Sequence, residues 1–184
     1  MDPIINQIEK LPFDIYNRTL ILLVQSGVKP AALIDIYDNY WNNQVPEQHP
    51  FFEEREKNLE QIVKLLGIYC SKIDVDGFNT KNGLTIKRPC LYIGKNETSF
   101  NQLMVASSEF ELGIALGYPL TAVEAVVEKK PALSYSFHNP VFKICCYRLS
   151  AENWVEEIKI AENWLITLRT KSIKLYQELL SPNS

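Results

Sequence analysis

The chain is predicted to fold as α+β, with N-terminal helices, a small antiparallel sheet, an inserted αα-hairpin and a long C-terminal helix packed across it. Three observations predict this. Apolar residues recur at helical spacing through the first third, alternate with polar ones around Ile73 and Leu91, and return to helical spacing after Ser150. The expected arrangement is one domain, 1–184. It comprises a helical part over 1–68, a sheet over 72–149 that carries the αα-hairpin at 108–129, and a C-terminal helix over 150–180.

Pro12 and Asp14 open a helix that runs to Ser26 and stops at Gly27. Its apolar set is Phe13, Tyr16, Leu20, Leu23 and Val24. Pro30 stands where a first helical position would be, starting a helix through Leu33, Ile34 and Tyr37. Residues 39–49 are polar or proline-rich and read as a loop. Pro50 begins a charged helix with a core stripe of Phe52, Leu59, Ile62, Val63 and Leu66, and its Glu/Lys-rich side is a solvated face. Short strands follow: Ile73 and Val75 alternate with charges, Asp76-Gly77 turns the chain, and Leu91 and Ile93 alternate with Cys90 and Tyr92. Pro89 puts the second strand at an edge or makes Cys90 its first strand position. A second strand pair is expected at 132–137 and 142–149, with Phe137 opposite Phe142, Tyr135 opposite Ile144 and Leu133 opposite Cys146. In that register Cys146 is a small core residue and Cys145 points to the other face. The C-terminal helix carries Trp154, Val155, Ile158, Ala161, Leu165 and Leu168 on one stripe.

Composition excludes several classes. With 46% apolar and 22% charged residues and a net charge of −3, the chain is globular rather than disordered. Four cysteines do not make a disulfide framework, and the mildly acidic balance without a basic block argues against a nucleic-acid footprint. The first ten residues lack an apolar signal region, and the longest apolar run, 20–24, is far short of the ~20 residues of a membrane helix. A cytoplasmic protein with reduced thiols, no membrane association and no glycosylation at Asn17 or Asn96 is expected.

Motifs that invite a chemistry fail on position. Asp74-Val75-Asp76-Gly77 resembles a calcium loop, but aligning Gly77 with the turn glycine puts Lys72 at the first ligand position and Gly83 at the last. Residues 111–127 have the spacing of a helix-turn-helix unit, bracketed by the capping boxes Ser108/Glu111 and Thr121/Glu124. Its second helix offers Glu124, Glu128 and Lys129 but no Arg, Asn or Gln to address base edges. An αα-hairpin in which Gly113 permits close helix packing is the simpler reading. The only histidines are His49 and His138, and the cysteines, Cys70, Cys90, Cys145 and Cys146, form no C-x-x-C.

The string E-L-G-x-x-L-G-Y-P-x-x-x-V at 111–123 resembles a motif of bacterial and archaeal families of unknown function. They place E-[LI]-G-x-x-LGYP before a short second helix. Some carry a cysteine pair after the proline and, further on, a His-x-Pro-Cys-x-x-x-Cys-like stretch. His138-Asn139-Pro140 and Cys145 echo that later stretch, whereas Leu120, Thr121 and Ala122 occupy the place of the first pair and Val141 that of a cysteine after Pro140. If those cysteines hold a metal or cluster in the families, the resemblance implies that this chain has lost the site.

The leading expectation is a non-enzymatic module, without cofactor, that binds a partner protein or a small ligand, with homo-oligomerisation left open. Tyr40, Trp41 and Tyr118 are the candidate interaction residues, because Tyr and Trp anchor interfaces and these three lie in a loop or at a hairpin tip. Trp41→Ala and Tyr118→Ala are expected to spare the fold. The rival is a thiol- or metal-dependent enzyme using Cys90, His138 and Cys145, and a third is a helix-turn-helix DNA-binding regulator.

Overall fold

The computed structural model describes residues 2–36, 50–79, 85–133 and 139–181, with the side chains of 50–57, 76–79 and 85–88 excepted. Among these residues it holds eight α-helices and a three-stranded antiparallel sheet, the predicted α+β class. None of the helices is long and apolar enough to cross a membrane.

The chain begins with a helix the periodicity did not reveal, α1 (Pro3–Glu9). Its signal was local: the Asp2 carboxylate accepts from the Ile4 N–H at 2.9 Å, and Pro3 fills the first turn, where a missing N–H costs nothing. The next helix, α2 (Ile15–Gln25), lies where expected, capped by Asp14 and stopped by Gly27 at φ +79°. Residues 20–24 are buried without interruption, so α2 is the central rod of the core rather than an amphipathic surface helix.

Pro30 does not start a helix. Residues Ala31–Asp35 form strand β1, paired antiparallel with β3 (Thr85–Gly94) from Ala31↔Gly94 to Asp35↔Cys90. A proline before the first strand residue loses no ladder donor, just as at a helix start, so Pro30 does not distinguish the two. Burial on both faces decides: Ala32 and Ile34 join the main core, while Ala31 joins a smaller cluster with Leu103, Ala115 and Leu116.

Helix α3 (Pro50–Leu65) precedes strand β2 (Tyr69–Asn79), and the sheet order is β1-β3-β2. Leu59, Val63 and Leu66 are buried as expected, whereas Ile62 is 37% exposed. β3 is the centre of the sheet, not an edge. Pro89 is tolerated because its carbonyl, and hence its nitrogen, faces β1 just past the last β1 pair, where Ile36 N–H donates to that carbonyl at 3.4 Å. Asp76-Gly77 does not end β2, which continues through a bulge between Asp76 and Asn79.

Helix α4 (Glu97–Val105) also escaped the reading; Asn96 caps it by accepting from Ser99 N–H at 2.9 Å. The αα-hairpin follows as α5 (Glu109–Ala115) and α6 (Leu120–Val127). Among the described residues the second expected strand pair does not form. The one bridge they show there is Ala132↔Ser150, and Pro140–Lys143 is a 3₁₀ turn nucleated by the Asn139 side chain accepting from Val141 N–H, while residues 134–138 lie outside the described ones. That turn destroys the alternation on which the Ile144 and Cys146 register rested.

The C-terminal helix is split into α7 (Trp154–Lys171) and α8 (Ile173–Leu179). Ser172 breaks it: its hydroxyl accepts from Leu175 N–H and donates to the buried Glu9 carboxylate at 2.6 Å. The buried stripe of α7 is Ile158, Ala161, Trp164 and Leu168, while Trp154 and Val155 face outward.

Candidate functional site

Between the αα-hairpin and residues 146–148 lies a cavity of about 270 Å³. Leu112, Gly113 and Leu116 of α5 and Ala122, Val123 and Val126 of α6 form one wall; Tyr118, Cys146 and Tyr147 form the other, with Glu109 and Arg148 at the rim.

Local signals build the first wall. Ser108 caps α5 by accepting from Glu111 N–H at 3.2 Å. The Glu111 carboxylate turns back to the Ser107 N–H and hydroxyl, both at 2.8 Å, which holds its pKa below the usual carboxylate range. The end of α5 is a Schellman turn: Gly117 N–H donates to Ile114 O at 2.9 Å and Tyr118 N–H to Gly113 O at 3.1 Å. Gly117 has φ +74°, and a Cβ there would lie 2.4 Å from Pro30 Cδ. Gly113 performs the close-packing role expected of it, since a Cβ would lie 2.7 Å from Val123 Cγ2. The second capping box does not form. α6 has no side-chain cap, and the Thr121 hydroxyl instead donates to Glu157 at 2.9 Å.

The second wall is held by a buried polar anchor from α7. Glu157, 1% exposed, accepts from Ser150 N–H at 2.7 Å, Ser150 Oγ at 2.6 Å and Thr121 Oγ1. The Tyr147 hydroxyl donates to Glu157 O at 2.5 Å. Its ring packs on Tyr118, with centroids 5.3 Å apart, and edge-on against Trp164.

Behind this wall sits Lys29, 1% exposed. Its ammonium donates to Leu116 O at 2.5 Å, at the electronegative end of α5, and lies 4.6 Å from the Tyr118 ring centroid and 4.4 Å from that of Trp164. Cys146, Tyr16 and Tyr118 are half-buried and pack against the main core. Burial lowers the Lys29 pKa, against the opposing pull of Cys146. Burial likewise raises those of Tyr16, Tyr118 and Tyr147, so the phenols stay protonated.

Of the residues singled out from sequence, Tyr118 belongs to this site. It is half-buried and touches both apolar clusters, rather than projecting from a hairpin tip, because the Schellman turn throws it back toward α2 and β1. Tyr40, Trp41 and His138 lie outside the described residues. Cys90 is buried in β3, where its thiol donates to the Asp35 carboxylate at 3.1 Å. Cys145 stands beside the cavity with its thiol donating to Tyr147 O at 3.4 Å, and burial pushes its pKa up to about 11. Among the described residues no group of three or more His, Cys, Asp or Glu is placed to hold a metal ion.

Lys29 and Cys146 were missed. The available signal for Lys29 was a lone cation in Val28-Lys29-Pro30-Ala31-Ala32, an apolar stretch entering a buried strand. Cys146 was hidden by the β-register, which assigned it an apolar cross-strand partner. No protein-family model, curated protein or solved structure matches the chain, so its function is argued from this geometry.

Proposed function

We propose that the protein is a binding module that takes a small aromatic molecule into the cavity between α5–α6 and residues 146–148. The observation that carries this reading is the lining: aliphatic side chains from two helices face the packed rings of Tyr118 and Tyr147, with Arg148 and Glu109 at the mouth. About 270 Å³ lies just below the roughly 300–1,000 Å³ of ordinary ligand pockets and suits a small fused-ring compound such as indole. A binding rather than a thiol-catalytic role is supported by two of the cysteines. Burial holds Cys70 as a thiol with a pKa pushed up to about 12 and Cys145 with one of about 11, far from the depressed values of nucleophilic cysteines.

The test uses 8-anilinonaphthalene-1-sulfonate fluorescence with the full chain and with Val126→Trp. Val126 lines the cavity but is 37% exposed, so the larger ring fills the space without crowding the core. Saturable binding of one probe per chain, competed by indole and weakened about tenfold or more by the substitution, is expected. Binding that is unaffected by Val126→Trp would place the probe elsewhere and sink the reading.

A further inference from the structure

The cavity is apolar inside, but two cations stand beside it without an anionic partner. The buried Lys29 ammonium donates to the Leu116 carbonyl and lies 4.6 Å from the Tyr118 ring centroid, directly behind two residues of the cavity lining. The Arg148 guanidinium is exposed at the mouth. Among the described residues no carboxylate forms an ion pair with either.

The acid at the rim is differently placed. Glu109 is the first residue of α5, where the positive end of the helix already favours its charge. Arg148 lies on an irregular segment with no helix end to compensate it. Its neighbours Tyr147 and Leu149 are both buried, and the Tyr147 hydroxyl is tied to Glu157 O, so the backbone that carries Arg148 is held at the rim. The unmet charge of the site is therefore positive.

We propose that the occupant of the cavity is an aromatic carboxylate of about the size of indole-3-acetate, with its rings between α5–α6 and the Tyr118–Tyr147 wall and its carboxylate on Arg148. This deepens the binding-module proposal and rests on it. A guanidinium offers two parallel N–H donors that match the two oxygens of a carboxylate. Lys29 is too buried to touch a ligand, but its charge acts across an apolar wall of low dielectric and favours any anion in the cavity. A neutral arene forgoes both interactions. An aryl ammonium meets two cations against one carboxylate that the helix end already compensates.

The test is isothermal titration calorimetry of the full chain at pH 7 with indole, indole-3-acetate and tryptamine, which present the same ring neutral, anionic and cationic. Indole-3-acetate is expected to bind one per chain and about tenfold more tightly than indole, with tryptamine the weakest of the three. Val126→Trp should weaken indole-3-acetate about tenfold or more, which places it in this cavity. Arg148→Gln changes an exposed side chain without an ion-pair partner among the described residues, and most of the tenfold ratio between acid and indole should be lost in it. High salt should shrink the same ratio, because Arg148 is open to solvent. Indole that binds while the acid binds no more tightly, a preference for tryptamine, or a ratio that survives in Arg148→Gln overturns the proposal and leaves the apolar cavity as a binding site. Failure of all three compounds to bind overturns both readings. The comparison of the three compounds is made on the native chain and does not depend on any variant.

Discussion

The two walls of the cavity are built on opposite principles. The α5–α6 wall is assembled from short-range instructions: a serine cap, a glycine in the left-handed region, a proline that forbids continuation, and a glycine where two helices touch. The facing wall, residues 144–150, has almost no regular structure and is positioned by Glu157 of α7, which Thr121 of α6 supports in turn. The first wall is stiff because its backbone is satisfied locally. The second is fixed only as firmly as its buried polar anchors, and it is also the wall that brings Tyr118, Cys146 and Tyr147 to the cavity. Function on an irregular segment held by a rigid frame is the general pattern for binding sites.

That contrast is breakable. The largest effect is expected on the stiff wall: Gly117→Ala combines a left-handed backbone with a Cβ 2.4 Å from Pro30 Cδ and should cost about 3 kcal/mol in urea unfolding. A loss below about 1 kcal/mol would show that the turn relaxes freely and that the wall is not stiff. On the facing wall, Glu157→Ala leaves the Ser150 N–H and hydroxyl and the Thr121 hydroxyl without their acceptor. About 2 kcal/mol should be lost. Hydrogen exchange should then rise at Ser150 and Tyr147 while α5 stays protected; uniform loosening of both walls would contradict the separation.

The smallest effect concerns Lys29. Because burial lowers its pKa from 10.5, the unfolded chain binds more protons than the native one between the two values. Its contribution to stability therefore rises with pH across that window and is constant below it. Lys29→Met, which trades the ammonium and its bond to Leu116 O for an apolar chain, should lie within about 1 kcal/mol of native stability at pH 7. It should then lose ground to the native chain as pH approaches 10.5, and a difference that does not change with pH would mean that Lys29 titrates normally.

Legibility followed the same divide. The αα-hairpin, α2 and α3 could be read from sequence because caps, glycines and helical periodicity act within a few residues. So could the close packing at Gly113, since small residues at helical spacing signal approach before any partner is known. What failed was pairing. Pro30 suits a helix or a strand equally, and only the burial of Ala31 and Ala32 on opposite sides settles it. The alternation after residue 132 matched a hairpin, but the Asn139 side chain stabilises a competing 3₁₀ turn at short range. The break at Ser172 depends on Glu9, far away in sequence. For the site, Tyr118 was visible as an aromatic at a turn, while the place of Cys146 on the cavity wall was hidden by the misread segment.

The most direct test of the central claim is a titration of the full chain with indole, followed through the methyl resonances of its Leu, Val and Ala residues. Saturable shifts concentrated on Leu112, Leu116, Ala122, Val123 and Val126, the aliphatic lining of the cavity, are the predicted result. Shifts confined to exposed methyls such as Leu65 and Val105, or no saturation at all, would contradict it.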